Sequence, residues 1–345
     1  MIKKTLFLLL GLYALNAYAG PGGYIGTADD RRYSTLSDPT YAGVAKLDMG
    51  GGRCTGVFVE KNLVLTNKHC ALHCPSNRIC TAEFWDGKSI KKSRITPIYI
   101  PRNARNDYTF DGTDWAVLKS DIANPLFRPV AQHTQKGSIS RGGFGVLRVI
   151  TNDEIPYLRQ VFNEVAPQCK RPNRDDVLIC LTRGIDERLI REGRKPLFKD
   201  SDNFKVQQCN ILYDMPGHPK MVKTDCDSAG GDSGAPLLRG RQIVGLNNSG
   251  EQVVFGDTEV NANGVKTDNF YSTIAKIISD NPNKTTEPKK PSDPKKPSEP
   301  KKPTEPNKPV EPAPNEPNEP VEPAPLSPSE LNRINQQRLM ELECD

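Results

Sequence analysis

Gly230-Gly231-Asp232-Ser233-Gly234-Ala235-Pro236-Leu237-Leu238 is the stretch on which the reading of this chain turns. Glycine at 231 lets the backbone turn with no side chain in the way, so the N–H groups of Gly231 and Ser233 can approach one ligand oxygen together and stabilise an oxyanion. The competing reading is a glycine-rich β-turn that happens to contain a serine. A serine hydroxyl is a poor nucleophile at neutral pH, so the chemical reading requires a base held against it.

The chain has four histidines. His69 closes the run Cys54-Thr-Gly-Val-Phe-Val-Glu-Lys-Asn-Leu-Val-Leu-Thr-Asn-Lys-His69-Cys70, in which an apolar strand ends in a loop that presents the imidazole. A Cys54–Cys70 disulfide would lock that loop. His73, His133 and His218 have no such setting and read as surface residues. The third member should be a carboxylate at the start of a buried strand, where it bonds the other imidazole nitrogen. Asp114-Trp-Ala-Val-Leu-Lys119 fits, with Asp111 as the nearby decoy. The order His69, Asp114, Ser233 is one of three recurrent chain orders for this constellation.

With these residues quoted, a family comes into view. Leu65-Thr-Asn-Lys-His69, Asp114-Trp-Ala-Val and Gly231-Asp-Ser-Gly-Ala-Pro236 together resemble the trypsin-like, chymotrypsin-fold serine peptidases. Ile25-Gly-Thr-Ala-Asp-Asp-Arg31 and Thr224-Asp-Cys-Asp-Ser228 point to their bacterial glutamyl-endopeptidase-like branch. Over residues 25 to 280 the resemblance implies two six-stranded β-barrels with an active site between them. It also implies a serine endopeptidase working through an acyl-enzyme, with protein or peptide substrates and no cofactor or metal. Two rivals from other classes are a catalytically silent binding module of the same fold and a surface protein whose tail is the functional part.

Specificity is inferred by position. The family's pocket wall would fall on Asp227 and Ser228 and on Asn248 and Gly250 after the nucleophile. A carboxylate at the pocket base selects Arg or Lys through a desolvated ion pair. Glutamyl enzymes instead place a histidine in the stretch matching Leu246–Gly250, where this chain has none. The expectation is therefore cleavage after Arg or Lys, with glutamyl specificity as the alternative. In trypsin-like enzymes the aspartate at position 232 pairs with a freed N-terminal amine. That raises cleavage after Arg31 or Arg32 as an activation step, against simple removal of a leader before Gly20.

Around this centre the chain divides unevenly. Residues 1–19 have Lys3 and Lys4, the apolar run Leu6–Leu12 and Ala17-Tyr18-Ala19 before Gly20, the pattern of a secretory signal peptide. Residues 20–32 are the mature start or a short propeptide, and 33–281 the protease domain. Short β-branched runs punctuated by Gly, Asn, Asp and Pro make that domain all-β. Gly56–Leu65, Arg94–Ile100, Asp114–Leu118, Gly145–Ile150 and Gln242–Leu246 read as strands. A charged stretch around Ile185–Lys195 reads as a helix on an inserted loop. Asp268–Ile278, with Tyr271, Ile274, Ile277 and Ile278 on one face, reads as a closing helix. Residues 282–326 repeat Glu-Pro-Lys-Lys-Pro-Ser with variants and lack the apolar side chains to offset ordering, so an extended, disordered spacer is expected. Its role is a stalk making cell-surface contact or a solubilising tail. Residues 327–345 open on the capping pattern Ser327-Pro328-Ser329-Glu330 and read as a short helix.

Nine cysteines agree with export to an oxidising compartment, either the medium or the periplasm. Besides Cys54 and Cys70, nearness along the chain pairs Cys74 with Cys80, Cys169 with Cys180 and Cys209 with Cys226. Cys344 is left over and is a candidate for an intermolecular disulfide. The formal charge of +5, against 47 basic and 42 acidic residues, gives no ground for a nucleic-acid partner.

Overall fold

The computed structural model describes residues 23–25, 28–50, 52–74, 78–101, 112–169, 174–200, 202–250, 254–255 and 262–280. The signal-peptide, spacer and terminal-helix readings, Asp111 and Cys344 lie outside these residues.

Twelve strands carry the fold. The first six are β1 (Val44–Asp48), β2 (Arg53–Glu60), β3 (Leu63–Thr66), β4 (Cys80–Trp85), β5 (Ile90–Tyr99) and β6 (Ala116–Ser120). They close a barrel in the order β1-β2-β3-β6-β5-β4, every neighbour antiparallel. The second six are β7 (Gly137–Gly143), β8 (Lys205–Asp214), β9 (Met221–Thr224), β10 (Pro236–Arg239), β11 (Gln242–Gly250) and β12 (Ala262–Lys266). Their pairings run β7-β8-β9-β12-β11-β10 and back to β7, so the second barrel repeats the connectivity of the first. Closure leaves neither sheet with an open edge along these strands.

The burial patterns follow from where each strand lies. β4 alternates buried and half-buried residues, as a strand with one face inward must. In β2, Cys54 to Val59 are all buried. One face of that strand fills the first barrel, where Phe58 meets Phe84 edge-on at 4.6 Å. The other face belongs to a cluster that runs continuously from Val57, Leu65 and Val117 to Val206, Leu246 and Phe270 of the second barrel. Each fully buried aliphatic or phenyl group there contributes roughly 1.5–3 kcal/mol. The seam between the barrels is therefore a core.

Four α-helices are found among the described residues, of which the short α1 (Lys68–Leu72) belongs to the site and three lie outside the barrels' walls. Between β7 and β8 stand α2 (Ile155–Val165) and α3 (Arg174–Arg191). They share their own cluster, Leu158 and Val161 against Ile185 and Leu189. After β12 a 3-10 turn leads into α4 (Tyr271–Asp280), whose Ile274 is buried on the inter-barrel core with Ile277 and Ile278 beside it. No helix of the described residues is long and apolar enough to cross a membrane.

Three strand expectations need correction. Gly56–Leu65 is a hairpin, β2 and β3 turning at Lys61-Asn62, and not one strand. Asp114 lies just before its strand, which starts at Ala116. Gly145–Ile150 is irregular: Val146 N–H donates to the Gly230 carbonyl (2.7 Å) and Arg148 N–H to that of Leu197 (3.0 Å), so its backbone is satisfied by scattered partners and not by a ladder. The charged helix begins earlier than Ile185, at Arg174.

Candidate active site

His69 sits in α1 (Lys68–Leu72), the short helix that β3 runs into. Two constraints hold this turn. The Cys54–Cys70 disulfide fastens it to β2, and Thr66 Oγ1 donates to the Thr55 carbonyl at 2.7 Å. Asp114 reaches the same turn from the approach to β6. Its Oδ2 lies 2.7 Å from His69 Nδ1, and its Oδ1 accepts the His69 backbone N–H at 2.9 Å. Asn67 Nδ2 donates to the Asp114 carbonyl at 2.8 Å. The carboxylate thus fixes His69 at two points, Oδ2 at the imidazole and Oδ1 at the backbone, in a place where both residues are 3 % exposed. Hydrogen bonds to a charged group in such settings contribute roughly 1.5–3 kcal/mol each. Trp115, the next residue, stacks on Tyr99 at 5.1 Å and tilts against Phe270 at 5.6 Å, which anchors Asp114 to the inter-barrel core.

Ser233 comes from the second barrel, at the turn before β10. Its carbonyl accepts the Thr55 N–H at 2.9 Å, and Cys70 Sγ lies 3.9 Å from that oxygen. Gly234 N–H donates to the Asn247 carbonyl at 2.9 Å. A Cβ on Gly234 would stand 3.1 Å from the Asn67 nitrogen. Residues 233–234 and 67–70 are therefore in contact across the seam, so histidine, carboxylate and serine occupy one place. The Ser233 hydroxyl donates to the Asn248 carbonyl at 3.4 Å.

Gly231 has φ +98°, and a Cβ there would come within 2.5 Å of the Phe144 carbonyl oxygen, so only glycine fits. Thr55, which no sequence signal singled out, ties the turn together. Its hydroxyl donates to the Gly231 carbonyl at 2.8 Å and accepts the Phe144 N–H at 3.1 Å.

The four described disulfides pair Cys54 with Cys70, Cys74 with Cys80, Cys169 with Cys180 and Cys209 with Cys226. Two groups of potential metal ligands, Cys54/His69/Cys70 and Cys209/Asp225/Cys226, are each built on one of these disulfides, whose sulfurs are bonded to each other. Of the remaining histidines, His133 is exposed and bonded to Asp268 at 2.8 Å, while His73 is half-buried, and burial lowers its pKa.

The pocket residues are less open than their positions suggest. Asp227 is 1 % exposed, and its Oδ2 accepts the Asp30 N–H at 3.0 Å. Gln207 grips the same residue's backbone, donating to its carbonyl at 2.7 Å and accepting its N–H at 3.1 Å. Ser228 Oγ and Asn247 Nδ2 are 3.2 Å apart. Gly250 pairs with Ala262. Between the segments flanking this region lies a short strand, Gly23–Ile25, antiparallel to Ser228–Ala229 and parallel to Val254–Phe255.

The proposed activation points are also engaged. Arg31 is buried, with its guanidinium on Asp29 (2.9 Å) and on the carbonyls of Leu147 (3.2 Å) and Arg148 (2.9 Å). Burial alone would lower its pKa, but Asp29, with Asp227 and Asp232 further off, outweighs burial and raises it. Arg32 and Tyr33 form a two-residue strand against Val206 and Lys205. In this conformation the bond after residue 32 lies within that short strand and the bond after residue 31 leads into it.

The turns that carry His69, Asp114 and Ser233 thus meet at the seam of two closed six-stranded barrels of one connectivity. The trypsin family model matches residues 34–161. No curated protein matches the chain. Among solved structures, mouse neuropsin, a serine protease expressed in the limbic system of the brain, is 16 % identical with a TM-score of 0.49, over 73 % of this chain and 99 % of its own. A Glu endopeptidase in complex with MPD is 17 % identical with a TM-score of 0.47, over 72 % of this chain and 96 % of its own.

Proposed function

We propose that this chain is a secreted serine endopeptidase in which Ser233 is the nucleophile, His69 the general base and Asp114 its orienting carboxylate. The observation that carries this reading is the pair of hydrogen bonds between His69 and the Asp114 carboxylate, in a turn that lies against Ser233. The Ser233 hydroxyl attacks the peptide carbonyl and its proton passes to His69 Nε2. Asp114 favours the imidazolium that results. The oxyanion is taken up by the N–H groups of Gly231 and Ser233. His69 then protonates the departing amine, leaving an acyl-enzyme. Water, deprotonated by the same histidine, releases the carboxylic acid and restores the serine. The four disulfides and the character of residues 1–19 fit export.

Specificity follows from Asp227. With residues 28–31 in place its carboxylate is answered by the Asp30 N–H and the field of Arg31, so the pocket offers the uncharged Ser228 and Asn248. Selection of Arg or Lys is expected once that segment withdraws. A peptide library run on the chain with and without residues 20–31 tests this. A preference for Glu in either form would refute it in favour of the glutamyl alternative.

The catalytic reading is tested by a serine-reactive fluorophosphonate together with peptide hydrolysis. The unaltered chain is expected to label and to cleave, and Ser233→Ala to do neither. A folded chain that neither labels nor cleaves is the silent binding module.

A further inference from the structure

Thr55 stands near the start of β2 and is fully buried. A threonine in such a place has an N–H, a carbonyl and a hydroxyl to satisfy, and the hydroxyl both donates once and accepts. Its backbone N–H is directed out of the first barrel, to the Ser233 carbonyl at 2.9 Å. Its hydroxyl accepts the Phe144 N–H at 3.1 Å and donates to the Gly231 carbonyl at 2.8 Å. These two contacts fix each other's sense. An amide N–H can only donate and a carbonyl can only accept, so the one hydroxyl serves both with no proton left over.

The bonds close a loop around Gly231. The carbonyl of Gly230 accepts the Val146 N–H at 2.7 Å, so the peptides on both sides of Gly231 are tied to one segment, the first directly to Val146 and the second through Thr55 to Phe144. A glycine at φ +98° has no side chain to hold its conformation, and the loop supplies the constraint. Ser233 is held by the N–H of the same threonine. The two residues whose N–H groups take up the oxyanion in the catalytic reading are thus both fastened, by their carbonyls, to one residue of the opposite barrel. The Thr55 carbonyl in turn accepts the Thr66 hydroxyl at 2.7 Å, at the end of the strand that runs into α1 and His69.

We propose that Thr55 is a positioning residue for the reaction: its hydroxyl holds the Gly231 peptide in the orientation the oxyanion requires, so the first barrel completes a hole whose donors belong to the second. The inference rests on the catalytic reading above, and Thr55 acts in it only through Gly231. The opposing account is that the hydroxyl merely satisfies a buried N–H. Removing it leaves the Phe144 N–H without an acceptor and costs stability on either account, so unfolding alone does not separate the two. Kinetics does.

The test uses the full chain, with active sites counted by fluorophosphonate labelling carried to completion, kcat and KM on a peptide anilide, and inhibition by the corresponding peptide trifluoromethyl ketone. With the ketone, Ser233 Oγ adds to the carbonyl carbon, its proton passes to His69 and the ketone oxygen becomes the anion in the hole, so its affinity reads the hole directly. Thr55→Val keeps the shape and removes the hydroxyl. It is expected to lower kcat per labelled site about 10- to 100-fold, less than outright loss of a donor, with KM little changed and the ketone weakened by a similar factor. Thr55→Ser restores the hydroxyl and is expected to return kcat to within about threefold of the parent. Parental kcat and ketone affinity in a less stable Thr55→Val would make the hydroxyl a structural group and overturn the proposal. A raised KM at parental kcat, or a Thr55→Ser as slow as Thr55→Val, would overturn it too. Should Thr55→Val fail to fold, Thr55→Ala, which leaves room for residues 144–146 to settle, carries the same comparison with Thr55→Ser. Failure of the unaltered chain to label is the distinct result that would remove the catalytic reading itself.

Discussion

Replacing Gly231 by alanine should damage catalysis and stability by separable amounts. The added Cβ would meet the Phe144 carbonyl oxygen at 2.5 Å, and real Cβ atoms stay beyond 3.0 Å, so the backbone at 144 has to retreat. That movement strains the chain of bonds from Phe144 N–H to Thr55 Oγ1 and on to the Gly231 carbonyl. An L-residue at positive φ costs about 1–2 kcal/mol, and forcing extra volume into a packed site about 1–3 kcal/mol. A combined loss of about 3 kcal/mol in a domain of this size lowers Tm by roughly 6–12 °C. If instead the turn flips to relieve the clash, one oxyanion donor is lost and kcat falls about 100- to 1,000-fold. Thermal unfolding with kcat measured at 20 °C or so below the midpoint separates the two. A variant with parental Tm and kcat within about threefold would refute the placement of Gly231 at the oxyanion site.

Asp114→Asn keeps the shape but can accept only one of the two bonds from His69, which leaves the imidazole in the wrong tautomer; kcat on a peptide ester is expected to fall about 10⁴-fold with folding intact. Glu154 accepts both Arg148 Nη1 and Nη2 at the start of α2, and that bond draws its pKa from 4.5 down to about 2. A carboxylate depressed by folding contributes stability that is complete above its unfolded pKa and disappears as pH falls toward the folded one. The Tm difference between the parent and Glu154→Gln is therefore expected to be constant above about pH 5 and to shrink between 4.5 and 2; an unchanging difference across that window would count against the pair.

Where a structural feature depends on residues adjacent in sequence, the chain is readable in advance. The Gly230–Leu238 stretch, the cysteines around His69 and Asp114-Trp115 just ahead of the buried strand β6 each announce themselves locally, and the barrels follow from short apolar runs. The β2–β3 hairpin escaped because Lys61-Asn62 turns without glycine or proline. Gly145–Ile150 has strand composition but gives its backbone bonds to Gly230 and Leu197, partners no local pattern reveals. α2 was missed, since its apolar face is covered by α3 and not by a barrel. Arg141 was invisible for a related reason. Residues 137–143 were not read as a strand, and only folding brings Arg141 to the Asp232 carboxylate ninety-one residues away, at 3.1 Å.

The strand Gly23–Ile25 fills the backbone pairing positions of both Ser228–Ala229 and Val254–Phe255. Any extended ligand drawn to either edge meets a resident competitor tethered to the same polypeptide, at an effective concentration on the order of millimolar. Affinities measured on the intact chain are consequently those of displacement. The same compound should bind a form lacking these three residues more tightly, by the factor with which the strand holds its place.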